Sequence, residues 1–205
     1  MKARLALAAS ALLLALSGCE GESTESATQQ ASDNSTGAAS TTSTPQPRRT
    51  TGPGTYTFTA DGGGTGTLQI PGSAVPEIEE LRRIVNAVPV TYISAAVDNR
   101  EGTKFINMYS LSIFTPEGKE LKYRGVSAYL DDLREMLPPD APSEIFNRYI
   151  DVSNAYLDDA SPLEVKDFVL VGPDVPAQIT GITVYPTGGF PPAKAEPALA
   201  PGSQQ

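Results

Sequence analysis

Between residues 55 and 186, apolar and polar side chains alternate with a period of two, which limits this segment to a mainly β architecture. In TYTFTAD (55–61), for example, Tyr56 and Phe58 alternate with threonines. Successive side chains of a strand point to opposite faces of a sheet, so this segment predicts a strand with one buried face. Similar alternation, or the β-branched composition of strands, recurs in TGTLQIP (65–71), PVTYISAAVD (89–98), KFINMYSLSIF (104–114), ELKYR (120–124), EVKDFVLV (164–171) and QITGITVYP (178–186).

Helical spacing interrupts these strands at two or three places. Apolar residues fall at helical intervals in 76–88, where Pro76 stands near the start, and again in 126–137, which Pro138-Pro139 would end. The segment 145–156 is compatible with either a helix or a strand. Short strands separated by turn residues predict an antiparallel β-sandwich with helices packed at its ends. A meander barrel fits less well, because the helical segments break the even spacing of the strands.

The chain divides by composition into four parts. Residues 1–18 have a positive start, an apolar stretch and small residues, which is the layout of a signal peptide too short to span a bilayer as a helix. Residues 19–54 are rich in Ser, Thr, Gly and Ala, and from residue 20 contain no Leu, Ile, Val, Phe, Tyr or Met, so we expect a disordered tether. Residues 55–189 form the predicted β-domain. The Pro/Ala-rich residues 190–205 are expected to be a disordered tail.

The composition excludes several classes of function. The chain has 15 basic and 24 acidic residues, and removal of Lys2 and Arg4 with the signal would change the net charge from −9 to 13 − 24 = −11. Such an acidic chain disfavours nucleic-acid binding. It has no His and one Cys, which removes most transition-metal sites, His-based triads and any internal disulfide. We therefore predict no catalytic residue, no metal site and no cofactor.

Two acidic features are candidate sites. The loop Asp98–Thr103 offers oxygen ligands for calcium, but it lacks the register of a twelve-residue calcium loop, and Asp, Asn and Gly are the residues of a hairpin turn. We interpret it as a turn. The pairs Asp131-Asp132 and Asp158-Asp159, with Glu77, Glu79 and Glu80, are the acids that a glycosidase-like mechanism would draw on, although solvated faces explain them as well.

Other reactive or aromatic residues receive structural interpretations. Lys166 is assigned to the outer face of a strand as a surface lysine, and Gly62-Gly63-Gly64 to a turn between two strands rather than to a phosphate-binding loop. The eight tyrosines are assigned mainly to the rim of the core, with recognition of a carbohydrate or protein partner as the alternative.

The sequence Leu16-Ser17-Gly18-Cys19 resembles the lipobox of bacterial lipoproteins. In that family, diacylglycerol is attached to the cysteine sulfur, and the signal peptidase then cuts between the residues that correspond here to Gly18 and Cys19. The resemblance implies attachment to the membrane through diacylglyceryl-modified Cys19, on the outer face of the cytoplasmic membrane. Two acyl chains are a sufficient anchor, whereas one binds only marginally.

The segment YISAAVDNREGTKFINMYSLSIFTPEGKELKY (92–123) resembles the central strands of immunoglobulin-like domains in exported actinobacterial lipoproteins, including the MPT63-like secreted antigen group. The matching residues belong mostly to turns: Val97, Asn99, Gly102, Gly118 and Lys119. The resemblance implies an immunoglobulin-like β-sandwich and supplies no catalytic residues. Together these features predict a non-catalytic, membrane-anchored extracytoplasmic binding module for an envelope protein or glycan. The alternative is a carboxylate-dependent cell-wall hydrolase.

Overall fold

A computed structural model describes residues 49–157, 159–186 and 191–199. These residues contain eight strands and three helices. The strands are β1 (Gly54–Thr59), β2 (Thr65–Ile70), β3 (Thr91–Asp98), β4 (Ser110–Phe114), β5 (Glu120–Gly125), β6 (Val165–Gly172), β7 (Gly181–Tyr185) and β8 (Ala193–Pro197). The helices are α1 (Pro76–Ile84), α2 (Val126–Glu135) and α3 (Ser143–Ala155). None of the helices in these described residues has the length and apolar character needed to cross a bilayer.

The local predictions were largely confirmed. The first two predicted strands form the β1–β2 hairpin, whose turn uses Gly62 and Gly63 at φ of 99° and 97°, values that favour glycine. The TPEGK turn joins β4 to β5 and has Gly118 at φ 81°. Both predicted helices are present, each slightly shorter than expected, and the ambiguous segment 145–156 lies mostly in α3.

The predicted immunoglobulin-like β-sandwich is wrong, because the eight strands close into one antiparallel barrel in the order β1-β2-β3-β6-β5-β4-β7-β8. Closure depends on β8, which pairs with β7 on one side and with β1 on the other. A sandwich keeps open sheet edges, whereas here every strand has two neighbours. The argument that helical segments disfavour a barrel was also wrong, because the helices pack outside the barrel wall and leave the pairing of the strands uninterrupted.

Two predicted boundaries also change. Residues 193–197 were expected in a disordered tail but form β8, so the domain does not end at residue 189. At the other end, Thr51 pairs with Ile179 and β1 begins at Gly54, which assigns residues 51–54 to the barrel rather than to the tether. The predicted signal peptide (1–18), residues 19–48 of the tether and residues 200–205 of the tail lie outside the described residues.

The barrel interior is filled by side chains. Its apolar cluster draws on all eight strands, and members such as Leu68, Ile93, Leu111, Leu170 and Val184 are fully buried. Gly66 of β2 lies directly opposite Phe58 of β1, and a Cβ at Gly66 would stand 2.2 Å from the Phe58 ring. The ring therefore occupies the space that the glycine leaves. An eight-stranded barrel either fills its interior with side chains or holds one small ligand there. The buried cluster from all eight strands identifies this interior as a packed core.

A second core lies between the helices and the outer faces of β3 and β6. Tyr92 of β3 and Val171 of β6 contact apolar residues of the three helices: Ile78, Leu81, Val126, Tyr129, Leu130, Leu133 and Tyr149. The Tyr92 hydroxyl donates to Glu79 of α1 at 2.9 Å, and Arg82 donates to the same carboxylate at 2.9 to 3.2 Å. The hydrogen bond from Arg82 is the main reason that the pKa of Glu79 lies below its ordinary value. This network joins α1 to the barrel wall.

Candidate functional site

A groove opens at the end of the barrel where the described chain begins, which we call the base. β8 pairs with β7 through Ala193–Ala195 and then with β1 at Glu196 and Pro197. Because β8 leaves β7 at this point, a gap remains beside the first residue of β7, Gly181. The resulting space, the basal groove, is bounded by residues 49–51, 114–118, 179–183 and 194–197 and has a volume of about 770 Å³.

The basal groove combines an apolar floor with hydroxyl-bearing walls. Tyr56, Ile182 and Ala195 belong to the buried barrel core and form part of the floor. A Cβ placed on Gly181 would meet no atom within 4 Å, so the space beside this residue is open. The walls carry four threonines and three charged residues: Thr51, Thr115, Thr180, Thr183, Arg49, Lys194 and Glu196. The charged residues sum to +1 in a chain whose net charge is −9.

One wall of the groove is held by a compact set of hydrogen bonds. Thr51 and Ile179 exchange two backbone hydrogen bonds, each 2.8 Å long. The Tyr56 hydroxyl donates to the carbonyl of Gly52 at 2.5 Å and lies 2.8 Å from the Thr51 hydroxyl. These bonds fix residues 51 and 52 across the base of the barrel. The groove is therefore preformed in the folded chain, as binding pockets generally are.

The concave surface continues from the groove across the outer side of β1 and β2. Two shallower clefts, of about 680 and 580 Å³, share Glu196 with the basal groove and extend over Thr57 and its neighbours. Thr57 lies opposite Thr67, and Thr59 lies opposite Thr65. We call this surface the threonine face, formed by the exposed residues Thr55, Thr57, Thr59, Thr65 and Thr67. It presents rows of hydroxyl and methyl groups without charge.

The predicted lipid-attachment residue Cys19 and cleavage residue Gly18 lie outside the described residues. The loop after β3 is a turn, closed by a hydrogen bond from Gly102 to the carbonyl of Asn99. It is not a hairpin turn, because β3 pairs with β2 and β6 while β4 pairs with β5 and β7. The oxygens of this loop do not form a calcium site, because the Asp98 carboxylate is already paired with Arg100. The Arg100 guanidinium donates to it at 2.9 Å and lowers the pKa of the Asp98 carboxyl to about 2.

The candidate acids are not brought together. Asp132 pairs with Arg124, Asp131 lies 3.6 Å from Arg134, and Glu80 pairs with Arg148. Glu77 accepts a hydrogen bond from Tyr156, and Asp158 lies outside the described residues. A hydrolase needs a carboxyl kept protonated by a raised pKa. The carboxyls with a shifted pKa in the described chain, Glu79, Asp98 and Glu117, are all shifted downward, mainly by hydrogen bonds.

The assignment of Lys166 to the outer face of its strand is wrong. It shares the side of β6 that carries Phe168 and Leu170, stands opposite the buried Val97, and is itself half-buried. Its ammonium lies 5.8 Å from the centre of the Phe168 ring. The tyrosines were assigned to the rim of the core, but five of them, Tyr56, Tyr92, Tyr123, Tyr129 and Tyr149, are buried within the two cores, whereas Tyr109 is exposed.

Sequence reasoning missed the basal groove because one of its walls comes from the predicted tail. A weak signal was present in that tail. In AKAEP (193–197), the small apolar residues Ala193 and Ala195 alternate with Lys194 and Glu196, and the structure buries both alanines and exposes both charges. The chain matches no protein-family model, no curated protein and no solved structure. The residues of the basal groove and the threonine face are therefore the basis for a functional proposal.

Proposed function

We propose that this protein is a lipid-anchored extracytoplasmic binding module that binds a neutral glycan of the cell envelope in its basal groove. The anchor is diacylglyceryl-modified Cys19, which would hold the domain on the outer face of the cytoplasmic membrane. The observation that carries the binding function is an open groove of about 770 Å³ beside a barrel whose interior is packed. Because side chains fill the interior, a ligand would contact the base and the outer wall of the barrel.

The chemistry of the walls favours a polyhydroxylated, uncharged ligand. A threonine hydroxyl both donates and accepts hydrogen bonds. Thr51 and Thr180 already donate their hydroxyl protons within the domain, so in the groove their oxygens serve as acceptors for the hydroxyl groups of a sugar. Arg49, Lys194 and Glu196 leave the groove nearly neutral, which disfavours a strongly charged polymer. The continuation over the threonine face suits a linear chain of several sugar units, with additional units lying across β1 and β2.

Narrowing the groove should weaken binding without disturbing the barrel. Gly181→Leu places a side chain where no atom lies within 4 Å, and the φ of this residue is not in the left-handed region. We expect the variant to bind neutral oligosaccharides at least tenfold more weakly than the wild type. Isothermal titration with hexasaccharides of glucose, mannose, galactose and arabinose checks this. Ala128→Leu, at an exposed position of α2 outside both the groove and the threonine face, is the control and should bind normally.

Two results would contradict this proposal. One is the failure of all four hexasaccharides to bind the wild-type domain at millimolar concentration. The other is equal binding by the wild type and Gly181→Leu, with thermal unfolding curves that coincide. The second result would retain a sugar-binding protein but move its site away from the basal groove.

Removing the lipidated cysteine should leave the chain unprocessed. In Cys19→Ala there is no sulfur to carry diacylglycerol, so we expect no incorporation of labelled fatty acid and retention of residues 1–18. Metabolic labelling and intact-mass measurement in a bacterial host check both expectations. Ser17→Ala, which keeps a small residue before the cysteine, is the control and should be labelled normally. Normal labelling and maturation of Cys19→Ala would refute the lipid anchor.

A further inference from the structure

An exposed apolar surface lies at the end of the barrel opposite the base. Phe105, Leu163 and Val165 are 61%, 80% and 60% exposed, and we call them the apical patch. The two segments that carry them are joined by backbone hydrogen bonds between Ile106 and Ala160, 2.8 and 3.1 Å long. Phe105 and Val165 also line one cleft of about 560 Å³. Leu163 does not line that cleft but lies on the turn directly before β6, and its N–H is hydrogen-bonded to Asn99, so the backbone that carries all three side chains is held at this end of the barrel.

The backbone of Leu163 is in a conformation that leucine disfavours. Ser161–Glu164 is a four-residue turn closed by a 3.1 Å hydrogen bond from the Glu164 N–H to the Ser161 carbonyl. Pro162 is its second residue, and Leu163, at φ 75°, is its third. This is the arrangement of a type II turn, in which the third position favours Gly or Asn because φ is positive.

Packing within the domain does not account for leucine at this position. The side chain is 80% exposed, whereas burial is what ordinarily stabilises a leucine. The backbone N–H of Leu163 donates to the Asn99 carbonyl at 3.0 Å, a bond that glycine or asparagine would make equally well. Strained residues persist where function requires them. Contact between the Leu163 side chain and another molecule is a function of this kind.

The charges around the apical patch indicate the chemistry of that molecule. Asp159 and Glu164 line the cleft beside Phe105 and Val165, together with Lys166. On the adjoining loop, Arg100 is paired with Asp98 and Lys104 with Asp61, so those cations are already neutralised by acids of this chain. Glu101 and Asp167 add further exposed carboxylates. With Lys166 counted, the four acids Asp159, Glu164, Glu101 and Asp167 still leave an excess of three negative charges around the patch. An apolar centre with an acidic border is complementary to an apolar side chain bordered by bases.

We propose that the apical patch docks a protein segment that carries an apolar side chain flanked by lysine or arginine. The apolar side chain contacts Phe105, Leu163 and Val165, and the flanking cation lies beside Asp159 and Glu164. This surface is distinct from the basal groove, so the domain has one end for a glycan and the other for a basic protein. The failure of either proposal leaves the other unaffected.

Leu163→Gly separates binding from stability. The probes are three fluorescent octapeptides with a central Leu-Phe flanked on each side by three lysines, three serines or three glutamates. We expect the wild type to bind only the lysine-flanked peptide, with an affinity that falls as salt is raised from 50 to 300 mM. Leu163→Gly should bind it at least tenfold more weakly, while its melting temperature equals or exceeds that of the wild type, since the backbone strain is relieved.

Val88→Gly is the matched control, because Val88 is 77% exposed but lies after α1, away from the apical patch. It should bind the lysine-flanked peptide as the wild type does. The proposal is overturned if the wild type binds none of the peptides, if it binds all three equally, or if Leu163→Gly keeps full affinity. A melting temperature of Leu163→Gly well below that of the wild type would also overturn it, because it would assign Leu163 a structural role.

Discussion

A chain ended at residue 189 is expected to lose the barrel. The truncation removes β8, which is the strand that joins β1 to β7. Both neighbours would then have unpaired edges, and interior residues such as Ile182 would face water. Loss of the β8 ladder and of its two buried alanines should lower the free energy of unfolding by about 5 kcal/mol, a large share of the stability of a domain of this size.

Urea unfolding followed by circular dichroism measures this effect. The control is a chain ended at residue 199, which keeps β8 and should unfold like the full-length protein. If the chain ended at 189 unfolds at the same urea concentration as the control, β8 contributes little to stability and the barrel does not depend on closure.

Asn99→Asp is expected to be the most destabilising of the single isosteric changes. Asn99 is fully buried, and its side-chain amide donates to the carbonyls of Lys104 and Ala160 at 2.8 and 2.9 Å. Its backbone donates to Glu164 and accepts from Gly102 and Leu163. The change would remove two hydrogen bonds and place a carboxylate against two carbonyl oxygens. A loss of more than about 3 kcal/mol follows, measured by urea unfolding at pH 7.

Asn107→Asp is the matched control for the added charge. Asn107 lies on the same loop, but its side chain is exposed, so the same chemical change should alter stability by no more than about 0.5 kcal/mol. If the two changes lowered the free energy of unfolding equally, the added negative charge, and not the loss of the buried hydrogen bonds, would be the cause. The position of Asn99 is also confined sterically, since a Cβ on Gly102 would stand 1.8 Å from its Oδ1.

The part of the fold that sequence reasoning predicted correctly is the local part. Alternation of Tyr56 and Phe58 with threonines predicted both β1 and its buried face, and the spacing of Val126, Leu130 and Leu133 predicted α2. Segment 145–156 stayed ambiguous because its β-branched residues suit a strand while its apolar spacing suits a helix. Packing of Tyr149 into the outer core resolves it as α3.

The sites were less predictable, because the residues that build them are distant in the chain. Asn99 was interpreted as a turn residue, yet its importance lies in a hydrogen bond to Ala160, 61 residues away. Leu163 was not singled out at all. The dipeptide Pro162-Leu163 is compatible with several turns, and only the observed φ identifies the strained position.

The sequence by itself determined most of the strands, the helices α1 and α2, and the absence of chemistry based on histidine, but it did not determine β8, the helical state of 145–156 or the face that carries Lys166. The tertiary structure alone decided that the strands close into a barrel, and it thereby created the basal groove and the apical patch. The physical reason lies in the nature of strand pairing. Side-chain alternation specifies a face, but the backbone edges of all strands carry the same donors and acceptors. The partner of each edge is therefore chosen by loop closure and by packing over the whole domain.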